Sequence, residues 1–251
     1  MEVKIPASIA DVDAQFLSEA MESDITSATF DQIGVGIGVS SAVYRATLVG
    51  KNCPSSVIIK LPALDENAVF TSTVLRMYIR EVQFFKTLAK DCPFKTPKAY
   101  YADVNEATSQ FALVLEDLGA LRVIDQNIGM DIEDAYVAVD ELAHMHAVWW
   151  GSGDALATAG TTVSLGDPIY PAVLPMVFAE GWEKVTSGMT LPKSLLAVGP
   201  KFGTAVGPLL ASLMTGPTTL AHGDFRADNM LFTAANELAV LDFQLIGTGT
   251  G

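Results

Sequence analysis

Basic residues are scarce in this chain. Fifteen Lys and Arg stand against 29 Asp and Glu, a formal charge of −14. That balance excludes an extended nucleic-acid surface, because neutralising phosphates needs clustered Lys and Arg. It permits a cationic small molecule without requiring one. Cysteine is scarcer still. Cys53 and Cys92 cannot build a disulfide framework, and neither belongs to a C-x-x-C pair, which argues against a structural zinc site. The opening Met1-Glu2-Val3-Lys4-Ile5-Pro6 has no basic segment leading into an apolar one. No signal peptide is read there, and a reducing, cytoplasmic location is expected. Internal repeats and low-complexity tracts are absent as well.

What is present is the composition of a folded protein. The 251 residues are 50% hydrophobic and 18% charged, unlike a disordered chain. At about 150 residues per domain the length suits one large domain or two modest ones. One run is unusually apolar. Between Ser194 and Met214, Gly199, Gly203 and Gly207 form two overlapping G-x-x-x-G steps, which in a membrane would read as a helix-packing face. Lys201, Pro200 and Pro208 interrupt it, so a buried, broken helix of a soluble core is expected instead, and no membrane partner.

Periodicity divides the chain in two. Val12 to Met21 reads as a short helix with Phe16, Leu17 and Met21 on one stripe. Ala42 to Val49, Val57 to Leu61, Ala99 to Ala102 and Phe111 to Leu115 read as strands. Between them, Val74, Met77, Tyr78, Val82, Phe85 and Leu88 predict one long helix over Val69 to Lys90. After Glu116 the pattern turns helical: Asp131 is a plausible N-cap, and Gly151 stops the helix. Pro171 to Val185 and Leu195 to Met214 also lean helical, and short strands return at Met230 to Phe232 and Leu238 to Leu241. The reading is α+β and two-lobed: an N-terminal lobe over 1–116, mostly antiparallel sheet with a helix, and a mainly helical C-terminal lobe over 117–251.

Four features carry chemistry. Gly34, Gly36 and Gly38, followed by Ser40 and Ser41, lie between two strand-like runs. That position excludes a dinucleotide fingerprint, and no P-loop Lys follows. Backbone amides of such a hairpin can close over phosphates, and a flexible β-turn explains it equally. Lys60 follows Val57-Ile58-Ile59 and so stands in or beside a buried strand. A partner such as Glu81 on the next helix would compensate its charge, with Arg80 and Lys86 nearby, or Lys60 lies at a solvated edge. His222-Gly223-Asp224 opens a polar loop in which Asn229 stands five positions after Asp224. A carboxylate and an amide so spaced can face one site, one accepting from a hydroxyl and the other ligating a metal. Asp242 ends the apolar run Leu238 to Leu241, a good place for a hard-metal ligand. An Asx-rich turn before a capped strand is the plainer alternative.

Together these residues resemble the catalytic-loop and metal-site signature of the kinase fold. His222-Gly223-Asp224 resembles the aminoglycoside phosphotransferase and choline kinase branch. The stretches Ile33 to Gly38, Arg80 to Phe85, Val114 to Leu118, Leu142 to Trp150 and Asp242-Phe243-Gln244 are most similar to the ecdysteroid-kinase-like group. The likeness runs in order from about Ile33 to Gly251.

The resemblance implies a small-molecule kinase using ATP and magnesium on a hydroxyl acceptor. Lys60, held by Glu81, would contact the α- and β-phosphates beneath the Gly34–Ser41 loop. Backbone atoms from Glu116 to Leu118 would receive adenine. Asp224 would orient or deprotonate the acceptor hydroxyl, and Asn229 and Asp242 would hold magnesium. Arg226 stands where protein kinases often place a Lys facing the γ-phosphate; an ion pair with Asp228 would also account for it. His222 would brace the loop, and His144 and His146 are read as core or hydrogen-bonded. Two departures matter. Gln244 replaces the glycine of the protein-kinase motif, and no Ala-Pro-Glu follows, which excludes a switchable activation loop. The chain also stops nine residues after Asp242, where relatives continue with helices that build the acceptor pocket, so an incomplete C-terminal lobe is expected. The rival reading is a non-catalytic or truncated nucleotide-binding module. Acceptor identity and oligomeric state are not legible.

Overall fold

A computed structural model describes residues 4–34 and 40–251. The chain forms two compact units. The first comprises 1–148 and 222–246, the second 149–221 and 247–251.

In the first unit, α1 (Ala14–Met21) is capped by Asp13, whose carboxylate accepts from the Phe16 amide. It buries Phe16 and Leu17 against a five-stranded antiparallel sheet. The strands are β1 (Asp24–Ile33), β2 (Ser41–Lys51), β3 (Ser56–Pro62), β4 (Ala99–Asn105) and β5 (Gln110–Glu116), in the spatial order β1-β2-β3-β5-β4. Alternation along β3 and β5 decides the two faces. Val57, Ile59 and Leu61 with Ala112 and Val114 pack toward α1. Phe111, Leu113 and Leu115 turn the other way, onto Tyr78 and Val82. Lys60, out of phase with Ile59 and Leu61 and paired with Leu113, projects from that second face.

The expected single helix over Val69 to Lys90 is broken. α2 (Glu66–Val74) ends before Arg76, whose φ of +54° is left-handed, and α3 (Met77–Gln83) starts afresh. A helical period survives such a turn in sequence, but the axis does not. The new direction buries Tyr78, Arg80, Glu81 and Val82 together. A π-helical turn over Phe84–Leu88 and a 3₁₀ turn over Ala89–Asp91 complete the segment.

A short strand β6 (Arg122–Val123) then pairs with a later hairpin, and α4 (Ile132–Val148) closes the first stretch of this unit. The second unit begins with α5 (Gly153–Thr158) and β7 (Val163–Ser164), followed by α6 (Ile169–Gly188), α7 (Lys193–Leu213) and β8 (Thr218–Ala221). The chain returns to the first unit with β9 (Met230–Phe232) and β10 (Leu238–Val240), which form the hairpin beside β6. β11 (Gly247–Thr250) lies between β7 and β8 in the second unit.

α7 departs from expectation twice. It runs through Pro200 and Pro208 without interruption, and only Gly199 and Val206 along it are buried. A proline removes one donor from the ladder, and the remaining bonds of a 21-residue helix carry it through. By length and composition it could cross a bilayer, with a mean hydropathy of 1.2. Its glycines instead face α6. A Cβ on Gly199 would come within 2.1 Å of the Trp182 ring, and one on Gly203 within 3.3 Å of Phe178. The small-residue face thus receives aromatic side chains.

Candidate active site

The site lies wholly in the first unit and starts from Lys60. Its ammonium, 8% exposed, is 2.6 Å from Glu81 Oε1 and 2.8 Å from Asp242 Oδ1. Of the two arrangements open to Lys60, the buried ion pair holds and the solvated edge does not. Burial works against its charge, but the Asp242 and Glu81 carboxylates outweigh it and hold the pKa above the ordinary lysine value. For Glu81 burial dominates: it pushes the carboxyl up, with Lys60 opposing and Asp242 adding to the rise. Arg80, the next residue on α3, faces elsewhere. It donates to the carbonyl oxygens of Ile246, at 2.6 Å, and of Leu245.

The polar loop after β8 folds on itself. A 3₁₀ turn over Ala227–Asn229 brings the Asn229 amide back to Asp224, so that Nδ2 donates to the Asp224 carbonyl at 2.9 Å and to Oδ2 at 3.0 Å. The Arg226 guanidinium lies between two acids, with Nε 3.1 Å from Asp224 Oδ2 and Nη1 3.5 Å from Asp228 Oδ2. His222 ties this loop to the strand end. Nδ1 accepts from the Asp224 amide at 3.2 Å, which leaves Nε2–H to donate to the Leu241 carbonyl at 3.0 Å. Burial holds its pKa below the ordinary histidine value, so the ring is a neutral brace at neutral pH. Gly223 makes the turn at φ +82°, where an added Cβ would meet the Leu245 carbonyl oxygen at 2.1 Å. No other residue fits there.

Asp242 closes the constellation. Its backbone is left-handed, φ +64°, an uncommon conformation for a non-glycine residue. The following Phe243 is fully buried and stacks on Phe84 with ring centroids 3.7 Å apart. Asp242 Oδ2 accepts from Gln244 Nε2 at 3.1 Å, and Gln244 Oε1 accepts from the Ser40 hydroxyl.

A cavity of 350 Å³ gathers most of the expected residues: Gly34, Ser41, Lys60, Glu81, Glu116, Leu118, Asn229 and Asp242 all line it. Ile33, Val43, Ile58, Leu115, Leu231 and Leu241 supply apolar walls. The Glu116 carboxylate is paired with Lys95, 2.9 Å away, and Glu116, Asp117 and Leu118 all border the cavity. Ser40 is hydrogen-bonded to Gln244, and Asp224, joined to Asn229 and Arg226, does not line this cavity, nor does Arg226. Gly36 and Gly38 lie outside the described residues. A larger cavity of 510 Å³ adjoins Gly34, Ser40, Ser41 and α2, but Asp65 is its single ionisable side chain among the described residues. Of these two cavities, it is the smaller that brings the Lys60 ammonium together with the Glu81 and Asp242 carboxylates.

The hard oxygens of Asn229 and Asp242, an amide and a carboxylate that both line the cavity, suit magnesium by donor chemistry. Three neighbours went unread in the sequence. Gln244 had a signal only as a departure from glycine. Tyr78, whose hydroxyl donates to the Ser40 carbonyl at 2.7 Å, read as a core aromatic. Asp117 also lines the cavity; burial would raise its carboxyl, but hydrogen bonds from Arg45, the Gly119 amide and Ser56 outweigh that and hold it low.

The profile of the phosphotransferase enzyme family APH matches residues 33–250. No curated protein matches the sequence significantly. Among solved structures, a mutant of aminoglycoside 2'-phosphotransferase IIIa bound to GDP is 14% identical, with a TM-score of 0.57, covering 93% of this chain and 71% of its own. The macrolide 2'-phosphotransferase MphH of Brachybacterium faecium is 16% identical, with a TM-score of 0.50 and the same coverage. Choline kinase LicA of Streptococcus pneumoniae is 13% identical, with a TM-score of 0.50, covering 94% of this chain and 68% of its own. These structures share the α+β, two-lobed protein-kinase-like fold of this chain. With 33–250 matched in one piece and the Lys60, Asp224, Asn229 and Asp242 chemistry inside it, the chain belongs to the phosphotransferase enzyme family.

Proposed function

We propose that this protein transfers the γ-phosphate of ATP to a hydroxyl group of a small molecule, with magnesium. The observation that carries this reading is the convergence of Lys60, Glu81, Asn229 and Asp242 on one cavity, with Asp224 hydrogen-bonded to Asn229 behind it. Lys60 has three donors; two end on Glu81 and Asp242, and the third is available to the α- and β-phosphates. The apolar walls and the backbone from Glu116 to Leu118 receive the adenine. The glycine-rich segment from Gly34 to Ser41 covers the phosphates.

Asn229 and Asp242 would hold magnesium, which supplies charge neutralisation on the β- and γ-phosphates. Asp224 accepts a hydrogen bond from the acceptor hydroxyl and takes its proton as that oxygen attacks phosphorus. The bond from phosphorus to the bridging oxygen breaks, and ADP leaves with the electron pair. Arg226, anchored on Asp224 and Asp228, directs its remaining donors at the transferred phosphoryl group. The sequence pattern resembles that of the ecdysteroid-kinase-like group, and a cytoplasmic site of action fits the composition.

Two measurements test the reading. ATP with magnesium should raise the melting temperature of the wild-type protein, and Asp242→Asn should remove the magnesium-dependent part. Labelled γ-phosphate should then pass to a member of a panel of aminoglycosides, choline-like amines, sterol-like alcohols and simpler alcohols. Melting indifferent to ATP and magnesium, with no transfer to any acceptor, would refute it.

A further inference from the structure

Asp242 is held by both of its carboxylate oxygens, and one of the two anchors has no assigned role. Lys60 takes Oδ1; Gln244 takes Oδ2 through Nε2. The other end of the same amide accepts from the Ser40 hydroxyl. Ser40 is no loose end. It is buried, and its carbonyl receives the Tyr78 hydroxyl at 2.7 Å. Tyr78 lies on α3 one turn before Glu81, so the chain of contacts returns to the helix that positions Lys60.

We propose that Gln244 is a positioning residue that couples Ser40, at the downstream end of the glycine-rich segment, to the orientation of the Asp242 carboxylate. The inference rests on the phosphotransferase reading for what Asp242 does, but not for the link itself. The residue type is part of the argument. A side chain placed between a hydroxyl and a carboxylate must accept on one side and donate on the other, which an amide does and a carboxylate at neutral pH does not. A glutamate at this position would keep the Ser40 contact and set a like charge against Asp242. Asp242 also needs such support, because a left-handed non-glycine backbone persists only where its surroundings over-determine it. A change at Ser40 thereby reaches the Asp242 carboxylate through two hydrogen bonds.

The test compares wild type with Gln244→Ala, Gln244→Glu, Ser40→Ala and the double alanine variant. ATP affinity is measured by calorimetry with magnesium and with EDTA, and amide hydrogen exchange over 40–44 is followed without nucleotide. Each Gln244 variant should keep its metal-free ATP affinity and lose about tenfold or more of the gain that magnesium brings, the scale for removing a hydrogen-bond partner of a metal ligand. Gln244→Glu should lose most, and Ser40→Ala should add little once Gln244 is gone. Exchange over 40–44 should rise in both Gln244 variants. Melting curves verify folding, and the nearly isosteric glutamate variant carries the test if the alanine variant does not fold.

Equal losses with and without magnesium would mean that Gln244 merely supports the pocket, and would overturn the proposal. So would additive effects of Ser40→Ala and Gln244→Ala, or a glutamate variant matching wild type. If wild type binds no ATP with magnesium, yet exchange over 40–44 rises in the Gln244 variants, the phosphotransfer reading is refuted and the link upheld. Unchanged exchange refutes the link whatever the wild type binds.

Discussion

Arg80 and Glu81 are consecutive on α3, both buried, and they end on different parts of one site. Glu81 lies 2.6 Å from the Lys60 ammonium, whereas Arg80 donates at 2.6 Å to the carbonyl of Ile246. One short helix therefore holds Lys60 through Glu81 and the chain just past Asp242 through Arg80. Lys60 is 182 positions from Asp242, and α3 is the element that bridges them.

The two residues should separate experimentally. Arg80→Lys replaces a fork that spans two carbonyls by a single ammonium, so a buried acceptor loses its partner at about 1–3 kcal/mol. Glu81→Gln keeps the shape but removes the charge that pins Lys60. Denaturant unfolding should show the larger loss for Arg80→Lys, and calorimetry the larger loss of ATP affinity for Glu81→Gln. The reverse order would break the division of labour.

Asp224 is assigned to the acceptor hydroxyl and not to ATP. Asp224→Ala should keep nucleotide affinity within a few-fold while phosphate transfer falls about 10²–10⁴-fold. Binding by calorimetry and transfer of labelled phosphate decide it. If affinity and transfer fall together, Asp224 is a structural or metal residue.

Buried His222 sets a pH dependence. Its folded pKa lies below the unfolded value of 6.5, so between the two the unfolded chain binds the extra proton. The stability it contributes is complete above pH 6.5 and drains away as pH falls through the folded value. His146, lowered by burial in the same direction, adds to the slope. Melting temperature should thus drop on acidification below about pH 6.5, and His222→Gln should be less stable at pH 8 with a flatter profile. An unchanged slope in that variant would assign the effect to other groups.

Gly199 tests the helix hairpin of the second unit. A Cβ there would sit 2.1 Å from the Trp182 ring, so Gly199→Val must push the indole off α7. Overpacking of this kind costs about 1–3 kcal/mol, and the displaced ring should shift tryptophan fluorescence to the red. Wild-type fluorescence and stability in the variant would mean that α6 and α7 do not pack through this glycine.

Part of the site was legible because its geometry is local. Asp224 and Asn229 are joined by a single 3₁₀ turn, so a five-residue spacing already places the amide on the carboxylate. The strand around Lys60 was legible from its β-branched run, and two-residue alternation put Lys60 on the face opposite Val57, Ile59 and Leu61. The fold class and the family resemblance rest on such local patterns taken in order.

What opposes a side chain across the fold is a different matter. Periodicity says which face Lys60 occupies but not that Glu81 rather than Arg80 meets it; the left-handed turn at Arg76 rotates α3 and decides that. The hydropathy of α7 marked a core helix, yet its burial depended on how many neighbours surround it, and α6 is the helix it packs against. Gln244 shows the limit most sharply. As a sequence symbol it was a missing glycine, because its two hydrogen bonds reach 204 and two positions away, and only the folded chain brings Ser40 and Asp242 within reach of one amide.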